Sequence, residues 1–321
     1  MTAHYIRPDV QAYLDVQAAN PRPVFTDELV AMARLMPPEM LAEMLSGMDE
    51  PVGELGEIRD VVMPGPGGEI ALRLFDPRPS RAPGPVVVFY HGGGFIVGSI
   101  DTHAGMTAAL ARGLDLPVIS VEYRLAPENP WPAAPDDAEA AARWIAENGA
   151  AFGRDFTHLI LCGDSAGGSL TLVTALALRD RPAALPLLAQ IPIYPRADGT
   201  RPYQSGLDFN TGFGLDQAQM DYFTKAYRSD SAHWRSSPYV ADLSGIAPML
   251  MITAGLDPLR DEGRAYAAKA IEAGVSVAYR EYAGTVHGFC TFRKAIPSAR
   301  DDLASLTALA REVLAEALRL G

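Results

Sequence analysis

The stretch HLILCGDSAGGSL, residues 158–170, joins a short apolar run, a serine between glycines and a helical pattern end to end. It contains G-x-S-x-G as Gly163-Asp164-Ser165-Ala166-Gly167. Between a strand and a helix, that spacing is the context of a nucleophile elbow. The physical requirement is specific. A sharp strand-to-helix turn holds the serine in a strained backbone, so its neighbours must be minimal. Gly163 and Gly167 supply that room. The turn also sets Ser165 at a helix N-terminus, where the positive end of the dipole favours developing negative charge. The competing reading is a serine helix cap with incidental glycines, which the strand and helix on either side disfavour.

Outward from this elbow the chain repeats strand, loop and helix. Apolar runs rich in β-branched residues occur at 86–90, 117–123, 158–162, 187–194, 248–254 and 275–282. Helical patterns occur at 102–114, 135–149, 165–180, 260–274 and 298–320. Continuous apolar strands alternating with helices predict an α/β fold with a mostly parallel sheet covered on both faces. The segment EIALRLFDP within the breaker-rich stretch 64–85 adds a further strand. Two regions break the alternation. Residues 1–55 look helical and carry no strand, and about 195–243 form an insertion too long for a plain loop. One helix is expected there, around LDQAQMDYFTKAY. The expected organisation is an N-terminal cap segment, 1–55, and a catalytic domain, 56–321, whose insertion completes a helical cap.

Composition narrows the function classes. The chain has 321 residues, 48% hydrophobic, which suits one large α/β domain with an appendage. A net charge of −12 argues against nucleic acid and anionic membrane as partners. No stretch has the roughly 18 uninterrupted apolar residues of a membrane span. The N-terminus lacks the pattern of a signal peptide, so a cytoplasmic location is the default expectation. Cys162 and Cys290 have no CxxC neighbour, which argues against structural zinc and leaves two small buried residues.

A nucleophilic serine needs a base, and the base an orienting acid. Of six histidines, His287 stands in a glycine-flanked loop, EYAGTVHGFC, after the last expected strand. The order Ser…Asp…His then asks for an acid after a strand between them, and Asp257 fits. Asp261 is a rival, but the first turn of the following helix explains it as a cap. The triple glycine of FYHGGGFIVGS, 89–99, could cradle a phosphate or turn N–H groups toward an oxyanion. A dinucleotide fingerprint beginning at Gly92 needs a glycine at 97, where Val97 stands, with Gly98 one place late. The decoy acid for a ribose is Glu122. The oxyanion reading takes N–H donors from Gly92, Gly93 and Ala166.

HGGGF, YRLAPE (123–128), GDSAGG (163–168), DPLRDEG (257–263) and HGF (287–289) stand in the order found in the bacterial hormone-sensitive-lipase-like carboxylesterases, which this sequence resembles over about 55–320. The GDSAG elbow resembles the subgroup with aspartate before the nucleophile. The resemblance implies an α/β-hydrolase fold and hydrolysis of short- to medium-chain acyl esters by water through an acyl-enzyme. It implies Ser165 as nucleophile, His287 as base, Asp257 as orienting acid, and no cofactor or metal. Homodimers are frequent in the family. It also implies that His91, Tyr123, Arg124 and Glu128 are scaffold, and that Asp164 accepts loop hydrogen bonds. Candidate pocket residues are Met36, Leu207, Phe209 and Phe213. Met32, Met36, Met40, Met44 and Met48 recur every four residues, as packing of the cap or as an adaptable wall of the acyl pocket. A serine amidase or peptidase with the same triad, and a non-catalytic ligand-binding protein on this fold, are the alternatives.

Overall fold

The apolar runs lie side by side in one eight-stranded sheet in the computed structural model, which describes residues 4–320 apart from Arg22 and Ser46. In chain order the strands are β1 (Glu57–Gly65), β2 (Gly68–Asp76), β3 (Gly84–Tyr90), β4 (Val118–Val121), β5 (Phe156–Asp164), β6 (Leu187–Ile193), β7 (Met249–Leu256) and β8 (Val277–Val286). Their spatial order is β1-β2-β4-β3-β5-β6-β7-β8. β2 runs antiparallel to β1 and β4, and every other neighbouring pair is parallel.

The helices are α1 (Pro8–Ala19), α2 (Asp27–Arg34), α3 (Pro38–Leu45), α4 (Ala104–Leu114), α5 (Ala133–Glu147), α6 (Ala166–Asp180), α7 (Gln204–Asp208), α8 (Gln217–Tyr227), α9 (Arg260–Glu272) and α10 (Ala299–Leu320). Strand side chains alternate between faces, and both faces of β3 are used. Val87 and Phe89 pack with Met106 and Leu110 of α4 and Leu306 and Ala310 of α10. Val86 and Val88 pack with Ala138 and Ala142 of α5 and Leu170 and Val173 of α6. α9 extends that second layer through Tyr266 and Ala270, against Met249 and Met251 of β7. Full burial of each large side chain in these layers stabilises the fold by about 1.5–3 kcal/mol.

Two elements differ from expectation. β1 has no counterpart among the expected strands, because only Met63 along it is buried and no apolar alternation marks it. Its pairing with β2 supplies the order instead. The insertion holds the short α7 as well as the expected α8. The methionine ladder packs less than either reading required: Met32, Met40 and Met44 are exposed, while Met48 lies against the core.

Candidate active site

The parallel strands β3, β5, β6, β7 and β8 end on one side of the sheet, and each hands over to a loop that carries part of the site. β5 ends at Asp164, and Ser165 follows at φ 53°, ψ −117°, on the positive-φ side that L-residues avoid. α6 begins at the next residue. The glycines are required by contact. A Cβ on Gly167 would stand 1.8 Å from the Tyr90 carbonyl oxygen, and one on Gly163 2.3 Å from the Gly167 oxygen. The Ser165 N–H donates to the Ile193 carbonyl at 2.8 Å, which ties the turn to β6.

The loop after β8 brings His287 to the serine, and the loop after β7 brings Asp257 behind the imidazole. His287 Nε2 is 2.8 Å from Ser165 Oγ, and Nδ1 is 2.7 Å from Asp257 Oδ2. Asp257 is fully buried, and its Oδ1 accepts the Leu259 N–H at 2.8 Å. A carboxylate on Nδ1 fixes the proton there and leaves Nε2 to accept from the serine hydroxyl. The rival Asp261 is engaged elsewhere, accepting the Ser205 N–H and pairing with Arg260 and Arg264. Tyr194, just after β6, lies with its ring 4.8 Å from the imidazole. Only its place at the end of an apolar run could have drawn attention to it.

The glycine loop corrects one expectation. The Gly92 N–H is taken: it donates to Asp164 Oδ1 at 2.8 Å and lies 3.3 Å from His103 Nε2. The buried carboxylate needs donors, and Gly92 supplies one, so this N–H is not turned toward Ser165. The N–H groups of Gly93 and Gly94 have no acceptor among the described residues. Both glycines have positive φ, 118° and 63°. Gly94 lines the same cavity as Ser165 and Ala166. The Ala166 N–H, at the first helical position, has no acceptor within its own helix.

Beneath the loop lies an electrostatic pair. Burial opposes the charge on both groups, yet Asp164 holds His103 above the usual histidine range, and His103 holds Asp164 below the usual carboxylate range. The two stand 3.4 Å apart. Burial, with repulsion from His103, pushes His91 down to about 3, so it is neutral. Its ring stacks on Tyr123 at 4.3 Å, and the Tyr123 hydroxyl donates to the His91 carbonyl at 2.7 Å. His91 and Tyr123 thus brace the glycine loop. Arg124 turns away to a two-point pair with Asp137. From outside the sheet, Arg34 of α2 donates to the Ile96 and Ala126 carbonyls and reaches Glu128. Glu122 accepts the Ile100 N–H at 2.7 Å, which commits the decoy acid to the loop.

Counted with its mouth, the cavity at Ser165 measures about 650 Å³. Its apolar wall is Phe95, Leu215, Met220, Phe223, Tyr227 and Leu259, and its polar edge includes Ser169, Arg196 and Thr224. None of the four pocket candidates lines it. Leu207 is 63% exposed and lines an adjoining cavity, while Met36 is half-buried. Phe209 is fully buried and meets Phe213 edge-on at 5.1 Å. Phe209 and Phe213 pack onto the core, and Met220, Phe223 and Tyr227 of α8 supply much of the wall instead.

Fold and site together define an α/β hydrolase with a serine, a histidine and an aspartate joined at the C-terminal edge of a parallel sheet. A family profile described as alpha/beta hydrolase fold matches residues 87–291. Carboxylic ester hydrolase LipN of Mycobacterium tuberculosis is 41% identical over 243 residues, which is 73% of this chain and 64% of LipN, so the match leaves over a third of LipN uncovered. Carboxylesterase NlhH of the same organism is 38% identical over 283 residues, 85% of each chain. Among solved structures, an ester hydrolase from the metagenome of Lake Arreo superposes with a TM-score of 0.86 at 36% identity, covering 97% of this chain and 99% of that one. The hyperthermophilic esterase of Pyrobaculum calidifontis superposes at 0.85 and 34% identity, covering 96% and 98%. The chain belongs to the hormone-sensitive-lipase-like carboxylesterases of the α/β-hydrolase superfamily.

Proposed function

We propose that this protein is a serine carboxylesterase acting on short- to medium-chain acyl esters. The observation that carries the reading is His287, bonded on one side to Ser165 Oγ at 2.8 Å and on the other to Asp257 at 2.7 Å. In this reading the Ser165 oxygen attacks the ester carbonyl while its proton passes to His287 Nε2. Asp257 keeps Nδ1 protonated and offsets the imidazolium charge. Negative charge on the carbonyl oxygen is met by the free N–H groups of Gly93, Gly94 and Ala166, each contributing about 3–4 kcal/mol to the transition state. The imidazolium then gives its proton to the departing alkoxide. A water, deprotonated by His287, attacks the acyl-serine and releases the acid.

Residues 1–55 and 195–243 form the cap in this reading. Its support is that Phe223 and Tyr227 of α8 wall the cavity, and that Phe25, ahead of α2, packs on Phe223 at 5.5 Å. The cytoplasm is the proposed location. Cys162 and Cys290 are free and buried, a usage at home in a reducing compartment. No helix among the described residues is long and apolar enough to cross a membrane.

The test is hydrolysis of p-nitrophenyl esters from acetate to decanoate by the wild type and Ser165→Ala. The expected result is a maximum at or below about six carbons and a loss in Ser165→Ala on the order of a thousandfold or more. Near wild-type turnover by Ser165→Ala would contradict the assignment, and a maximum at decanoate would contradict the cap.

A further inference from the structure

Arg196 is the one ionic side chain among the described residues that line the cavity at Ser165. It follows β6, is half-buried, and donates from Nη1 to Thr224 Oγ1 at 3.2 Å. No carboxylate among the described residues lies within 4 Å of its guanidinium. Other half-buried arginines of this chain do meet a carboxylate: Arg73, Arg124, Arg235 and Arg260. Glu262 is the acid nearest in effect, but its Oε2 is occupied by the Ala197 and Asp198 N–H groups, at 2.9 and 3.0 Å. Glu262 acts on Arg196 through space but makes no ion pair with it, so the guanidinium keeps donors free toward the cavity. It has five N–H donors in a fixed fork, of which Thr224 engages one.

Its position is equally specific. Arg196, Met220, Thr224 and Leu259 line both the cavity at Ser165 and an adjoining one of about 710 Å³. Arg196 therefore stands where the cavity at Ser165 adjoins the second one. The apolar lining of the cavity at Ser165 includes Phe223 and Leu215. Such a wall holds a hydrocarbon chain and offers the guanidinium no acceptor.

We infer that Arg196 receives a carboxylate carried by the substrate, so that the enzyme prefers esters bearing a second, anionic carboxyl group over neutral esters of the same size. The inference rests on the serine-esterase reading above. The chemistry at Ser165 is unchanged: water adds, the ester C–O bond breaks, and an alcohol and an acid leave. Arg196 makes and breaks no bond. Its fork matches a carboxylate at two points, which a lysine ammonium does not.

Two substrate pairs test this and distinguish which side of the ester carries the charge. Monoethyl glutarate against ethyl pentanoate places the carboxylate on the acyl side. 4-Carboxyphenyl butyrate against phenyl butyrate places it on the alcohol side. The quantity read is the charged-to-neutral ratio of kcat/KM. Arg196→Met is expected to lower that ratio about tenfold or more in one pair, mainly through KM. Arg196→Lys, which keeps the charge and loses the fork, is expected to fall between. A ratio unchanged in both pairs for both variants would overturn the inference. A wild type inert toward all four esters would overturn the esterase reading, and the inference with it.

Discussion

Ser165 is held at φ 53° because three neighbours leave no other path. Its N–H is bonded to Ile193, and Gly163 and Gly167 meet backbone where a Cβ would stand. Gly167→Ala is therefore expected to cost at least about 2 kcal/mol, since rigid backbone oxygen must move. Urea denaturation would read this as a lower midpoint, and an unchanged midpoint would contradict the close approach. This part of the site was legible because a steric demand is written directly in residue type. The glycine loop was less so. Three identical residues, Gly92 to Gly94, carry no mark of which N–H a distant carboxylate will take. Asp164 takes that of Gly92, and only the fold brings the two together.

At the scale of elements, Glu262 in the first turn of α9 fastens the start of the 195–243 segment by accepting the N–H groups of Ala197 and Asp198. Burial, helped by the charge of Asp198 and opposed by Arg196 and the two amides, raises its carboxyl from 4.5 to about 7. The folded chain thus holds this proton more tightly than the unfolded one. The associated stability is full below about pH 4.5 and is lost as the pH rises through about 7. The loss is on the order of 3 kcal/mol. Glu262→Gln keeps an acceptor oxygen and removes the titration. Its Tm relative to wild type should rise between about pH 5 and pH 8; a difference independent of pH would contradict the buried charge. The parallel strands were legible as elements because burial on both faces writes an unbroken apolar run. β1 was not, because a mostly solvated strand leaves no such run.

Across the whole molecule, the site is assembled from residues far apart in sequence. His287 and Ser165 are separated by 122 positions and meet at 2.8 Å. That meeting was legible from motif order alone, since parallel strands deliver their following loops to one edge. The cavity wall was not. Phe209 and Phe213 look as apolar as Phe223, and only packing decides that the first is buried in the core while Phe223 faces the serine. The central claim is that Ser165 is the nucleophile. A p-nitrophenyl alkylphosphonate tests it most directly, because attack leaves a stable phosphonyl-serine. The account predicts complete inactivation with one phosphonyl group per chain, on the peptide containing Ser165, and no modification of Ser165→Ala. Retained activity, or a phosphonyl group on any other residue, would contradict it.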